Sequence, residues 1–99
     1  MNMIINSVHF KADKKLELFI KEKLDKLPAL FDGVIGAEVK LKLNNTDIPE
    51  NKIIEIRLMI KGNDLFVMKE AKTFEEATSK ATDALRQQIR RHKEKLRGK

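Results

Sequence analysis

Two periods run through this chain. From Ala37 to Leu43 apolar and charged side chains alternate: Ala37, Val39, Leu41 and Leu43 against Glu38, Lys40 and Lys42. Ile54, Ile56, Leu58 and Ile60 repeat the pattern, interleaved with Glu55, Arg57, Met59 and Lys61. Successive side chains of a strand point to opposite faces, so both segments predict strands with one buried face. A short β-rich run at Met3–Phe10 predicts another strand. Gly62-Asn63-Asp64 predicts a tight turn into a further one over Leu65–Lys72, and the polar loop Asn44–Asn51 separates the two alternating segments.

The second period is helical. Leu16, Ile20, Leu24 and Leu27 recur on one face, with Phe19 on its margin, after Asp13, whose side chain can cap the first turn. A helix is predicted from Lys14 to Leu27, ended by Pro28. Thr73-Phe74-Glu75-Glu76 fits a capping box and predicts a second helix from Phe74 to Leu96. The order is β-α-β-β-β-α. The fold class is α+β: a four-stranded mixed sheet, its first strand parallel to a neighbour through the helical crossover, with both helices on one face.

Composition narrows the chemistry. Ninety-nine residues without cysteine or a linker tract make a single domain, 1–99, with no disulfide, Cys-ligated zinc or thiol catalysis. The longest apolar run, Leu65–Met68, is too short to span a bilayer, and the N-terminus has neither a basic region nor a long apolar stretch. A soluble, cytoplasmic protein is expected. Ser7 and Ser79 lie in no nucleophile motif. Asp32, Asp47, Glu50 and Asp64 show no metal or acid–base spacing, and no glycine-rich phosphate loop is present. An enzyme is not expected, nor a metal or cofactor.

Charge is distributed unevenly. The net +6 is absent from residues 1–79, which hold thirteen basic and thirteen acidic side chains. Residues 80–99 hold eight basic side chains against Asp83 and Glu94, so the whole excess lies in the last fifth of the chain. On a wheel at roughly 100° per residue, Phe74, Ala77, Ala81, Leu85, Ile89 and Leu96 form the apolar stripe, with His92 at its centre. Arg86, Arg90, Lys93 and Arg97 align in one cationic stripe about three turns long, and Lys80, Arg91 and Lys95 flank the other side. Such a stripe also suits the negative end of the helix dipole. Yet like charges at these spacings cost ~0.2–0.5 kcal/mol per pair, and the rest of the chain intersperses acids. A polyanion partner, RNA above all, is the favoured reading, because arginines bind phosphate oxygens in pairs.

Other signals are weaker. His92 reads as a partly buried helix residue, and His9 has no partner at metal-binding spacing. Gly33-Val34-Ile35-Gly36 matches the GxxG of KH domains poorly, its central residues being apolar. Lys61–Met68 echoes an RNA-recognition motif without two of its three aromatic positions. Backbone and shape recognition are therefore expected over base reading. Met59, Phe66 and Met68 share an outer sheet face in one register; in the other, favoured here, Phe66 is core.

The run Asp83–Leu96, with Lys23-Leu24-Asp25-Lys26-Leu27 followed by Phe31-Asp32, resembles the ribosome hibernation promoting factor / ribosome-associated translation inhibitor family. The resemblance covers nearly the whole chain and implies the same β-α-β-β-β-α fold. It also implies binding to the small (30S) ribosomal subunit in the mRNA/tRNA channel near the decoding centre. Translation would be inhibited and idle ribosomes preserved in stationary phase or stress. By position, Lys23 and Lys26 would join Arg86, Arg90, Arg91, Lys93, Lys95 and Arg97 as contacts to 16S rRNA. The wheel puts Lys26 at the margin of the apolar face and Lys23 inside it, where Lys23 must snorkel outward. A second hibernation factor is a further possible partner.

The chain departs from the family where Ser79 stands in place of an acid and Phe74 comes one position early. With no longer tail it resembles a short promoting-factor form. Two other readings compete. One is a double-stranded-RNA-binding module, disfavoured because Glu75 and Glu76 open the last helix. The other is an interaction module for an acidic protein partner or a membrane surface, the latter weakened by the lack of tryptophan.

Overall fold

In a computed structural model the order is β1 (Asn2–Ser7), α1 (Lys14–Leu24), a 3-10 turn (Leu27–Leu30), β2 (Val34–Leu43), β3 (Lys52–Ile60), β4 (Leu65–Ala71) and α2 (Phe74–Arg97). The structure describes residues 1–44, 49 and 51–97, with the backbone alone for Leu96 and Arg97. Asp47 and Glu50, with most of the loop expected at Asn44–Asn51, lie outside the described residues.

The sheet runs β1-β2-β3-β4, with β1 parallel to β2 and the remaining pairs antiparallel. This is the expected mixed sheet. Alternation fixes its two faces: Ala37, Val39, Leu41, Ile54, Ile56 and Leu58 are buried beneath the helices, while Glu38, Lys40 and Arg57 face outward. From the helix side Ile20, Leu24, Leu27, Leu85 and Ile89 complete the core. Each such side chain stabilises the fold by ~1.5–3 kcal/mol on full burial.

Two glycines are required by the sheet. At Gly36 a Cβ would sit 2.6 Å from the backbone oxygen of Asn2, so only glycine lets β1 approach β2 there. A register shift between Val34 and Gly36 leaves Ile35 without a partner on β3. Gly62 has φ +88°, and the Asn63 N–H donates to the Ile60 carbonyl at 3.2 Å. Positive φ at the third residue of this turn is what joins β3 to β4.

Three boundaries differ from expectation. β1 stops at Ser7 because His9 adopts φ +65°, which turns the chain out of the sheet, although the Val8 N–H still donates to the Leu41 carbonyl. The first helix ends at Leu24 rather than Leu27, since the Pro28 ring would clash with the carbonyl four residues earlier. Pro28 instead opens the 3-10 turn, where its missing N–H costs nothing. In β4, Leu65, Val67 and Ala71 point inward, while Phe66 and Met68 are 57% and 54% exposed. Phe66 is therefore not core. It shares the outer face with Met68 and the half-buried Met59.

Both helix starts are capped. The Asp13 carboxylate accepts from the Leu16 N–H at 2.8 Å and the Thr73 hydroxyl accepts from the Glu76 N–H at 3.0 Å. Glu76 turns its carboxylate toward Lys80, at 3.9 Å, so the capping box is realised in one direction. Ala77, Thr78, Ala81 and Thr82 are buried, and these small residues let α2 lie close on β3 and β4. The two hydroxyls bond back to the carbonyls of Phe74 and Ser79, which leaves neither orphaned.

Candidate nucleic-acid interface

The site grows from a mismatch of lengths. Twenty-four residues make α2 about 36 Å long, whereas the seven residues of β4 extend about 23 Å. The helix starts beside the end of β4 and runs back along it. The Gln88 amide donates to the Phe66 carbonyl at 3.1 Å, near the start of that strand. Beyond this level the helix is bordered by Leu30 of the 3-10 turn, by Phe31, and by Asn63 and Leu65 at the start of β4. It is here that the cations gather.

Arg86 is half-buried, its guanidinium 3.4 Å from the Asp83 carboxylate one turn earlier. Arg90, Arg91, Lys93 and Lys95 are exposed, and among the described residues none of them enters an ion pair. Arg97 lies in the last turn of α2, its side chain outside the description. From Arg86 to Arg97 the stripe rises about 16 Å.

The predicted cations fall on two flanks. Arg86, Arg90 and Lys93, with Ile89 and Glu94, border a notch closed on its other side by Leu30 of the 3-10 turn. A neighbouring depression is lined by Ala29, Leu30, Phe31, Asp32 and Lys93, so Lys93 edges both. On the opposite flank Arg91 and Lys95 face the β3–β4 turn at Asn63 and Leu65. His92 sits between, half-buried, its ring and that of Phe31 nearly perpendicular with centroids 5.1 Å apart. This is the partly buried helix residue expected of it.

Lys23 and Lys26 are placed differently, and only Lys23 lies on α1: the helix expected to reach Leu27 ends at Leu24, before Lys26. Lys23 is half-buried and carries its ammonium 5.6 Å from the Phe19 ring centroid, the outward snorkel that its position demands. Lys26 is exposed at the start of the 3-10 turn, four residues before Leu30. Neither lines the depressions beside the stripe. Leu30, by contrast, joins the cationic surface without having been picked out from the sequence. Its signal is the tetrapeptide Leu27-Pro28-Ala29-Leu30, where proline forces a turn and leaves an apolar side chain off the α1 stripe.

Such an arrangement can hold an anion of some length. Arginine stays charged throughout the physiological range and presents a planar fork to phosphate oxygens. The opening turn of α2 is acidic and exposed, with Glu75 and Glu76, so phosphate is repelled there and attracted at the far end.

Comparisons with known proteins bear on the whole chain. A family model described as sigma 54 modulation protein / S30EA ribosomal protein matches residues 3–97. No curated protein matches. The N-terminal domain of Protein Y from Thermus thermophilus is 24% identical, with a TM-score of 0.81 over 93% of this chain and 99% of that one. A ribosomal subunit interface protein from Coxiella burnetii is 14% identical, with a TM-score of 0.84 over 94% and 98%. At these identities the two structures speak to the fold, which they share. The family match extends over nearly every residue described, and the chain belongs to the sigma 54 modulation / S30EA ribosomal protein family, the ribosome-associated group that its C-terminal run resembles.

Proposed function

We propose that this protein is a ribosome hibernation factor. It binds the small ribosomal subunit in the mRNA/tRNA channel near the decoding centre, inhibits translation and preserves idle ribosomes. Contact to 16S rRNA runs through Arg86, Arg90, Lys93 and Arg97, with Arg91 and Lys95 on the second flank and Lys23 of α1 and Lys26 before the 3-10 turn extending the surface. The observation that carries this reading is the cluster of cations at the far end of α2, where Arg90, Arg91, Lys93 and Lys95 enter no ion pair among the described residues. Family membership and the fold shared with a ribosomal subunit interface protein support it.

Four aligned like charges cost the helix roughly 1 kcal/mol in mutual repulsion. An anionic partner removes that cost and adds charge-assisted hydrogen bonds. Sucrose-gradient sedimentation with purified ribosomal particles tests the reading. The protein travels with 30S and 70S particles at low salt, and the variant with Arg86, Arg90, Lys93 and Arg97 all replaced by Gln stays at the top. Association with 50S particles alone, or none at low salt, contradicts it.

A further inference from the structure

The notch between Leu30 and Ile89 has a chemistry that a phosphate track alone does not call for. Its floor is apolar: Ile89 is buried, and Leu30 is 39% exposed at the rim. Its walls are Arg86, Arg90 and Lys93, and it includes one acid, Glu94. At about 250 Å³ it is smaller than the ~300 Å³ at which pockets for drug-sized ligands begin. That is room for one flat ring system. Arg86 at the wall lies 3.4 Å from the Asp83 carboxylate.

We propose that this notch receives a single unstacked base of an RNA strand, seated against Leu30 above the buried Ile89, while Arg86, Arg90 and Lys93 hold the phosphates on either side. The inference rests on the RNA-binding reading above and sharpens it: the stripe reads a single strand, not a continuous duplex. Bases splayed from a strand stack on guanidinium planes and apolar side chains, which a base-paired strand cannot offer. Glu94 adds selectivity. A carboxylate accepts from an exocyclic amino group, such as N4 of cytosine, whereas uracil has none and flanks its N3–H with two repelling carbonyls. The opposite flank of α2, with Arg91 and Lys95, has no acid among the residues lining it and is not expected to discriminate.

The test uses the full chain with three short strands of equal phosphate number: oligocytidylate, oligouridylate and an abasic ribose-phosphate strand. Oligocytidylate binds about fivefold tighter than the abasic strand, the low end of what seating a base contributes. It also binds about fivefold tighter than oligouridylate. Leu30→Ala removes the difference from the abasic strand, and Glu94→Gln removes the difference from oligouridylate. The Leu30 and Ile89 methyl resonances shift with oligocytidylate and not with the abasic strand.

Equal affinity for the cytidylate and abasic strands overturns the proposal, as does a hairpin duplex bound as tightly as the single strand. Sedimentation of Leu30→Ala with 30S particles separates this from the parent reading. If the notch is idle, Leu30→Ala sediments as the unsubstituted protein does. If the ribosomal reading itself fails, the unsubstituted protein does not sediment, whatever the short strands show.

Discussion

The outer face of the sheet and the far end of α2 are built from the same charged residue types, and they differ in pairing. On the sheet Lys42 meets Glu55 at 2.8 Å, and Arg57 reaches both Glu38 at 3.2 Å and Asp64 at 3.5 Å. Exposed pairs of this kind contribute only ~0–1 kcal/mol each, but they set acids directly beside Lys42 and Arg57. On α2, Arg90, Arg91, Lys93 and Lys95 have no such partner among the described residues. Lysine and arginine are therefore poor markers of function in themselves. What marks the α2 end is density: Arg86, Arg90, Arg91, Lys93 and Lys95 stand within ten residues against Glu94 alone, whereas a cation of the sheet such as Lys40 stands opposite an acid, Glu55.

Within α2 the same division appears lengthwise. The first half is buried by Ala77, Thr78, Ala81, Thr82 and Leu85 and holds the helix to the sheet. The second half carries the cations. Leu85→Ala opens a cavity in the first half and is expected to destabilise the fold by ~2–5 kcal/mol in chemical denaturation. Affinity for ribosomal particles, corrected for the folded fraction, stays unchanged. A parallel loss of intrinsic affinity would mean that the halves are not separable.

Charge reversal is the next largest effect and compares the two surfaces directly. Arg90→Glu is expected to weaken small-subunit binding by ~1.5–3 kcal/mol, the range of a hydrogen bond to a charged group. Arg57→Glu on the sheet leaves binding nearly unchanged and costs up to ~2 kcal/mol of stability, since two pairs of ~0–1 kcal/mol each give way to repulsion from Glu38 and Asp64. Equal losses in the two variants would show that overall charge, not the stripe, drives binding.

The smallest effect lies at the start of α2. Thr73→Ala removes the cap on the Glu76 N–H and lowers stability by ~1 kcal/mol. Binding is unaffected, since the cap is far from the cationic turns. A drop in affinity here would tie the two ends of the helix together.

Much of this was legible in the chain because it is local. The alternation at Ala37–Leu43 and Ile54–Ile60 determines which side chains face the helices, and Asp13 and Thr73 announce the helix starts. The cationic stripe follows from spacing alone. Around β4 the pattern is ambiguous: Leu65-Phe66-Val67-Met68 is apolar at every position, so periodicity cannot say which pair is buried. The structure resolves it through pairing with β3, where Arg57 stands opposite Phe66 and Ile56 opposite Val67. Pro28 was read as a stop, yet its influence reaches one turn further back, to Leu24. The notch at Leu30 was invisible for a different reason. Leu30 and the stripe are more than fifty residues apart in the chain and meet only through tertiary packing, which no local period encodes.

The most direct measurement is the salt dependence of affinity for purified small ribosomal subunits, for the unsubstituted protein and for the variant with Arg86, Arg90, Lys93 and Arg97 replaced by Gln. If the stripe contacts phosphate, log K falls with log salt, and the variant's slope is shallower by roughly 3, near 0.7–0.9 per contact removed. Equal slopes for the two proteins would contradict the account, because the charge would then be acting somewhere other than along α2.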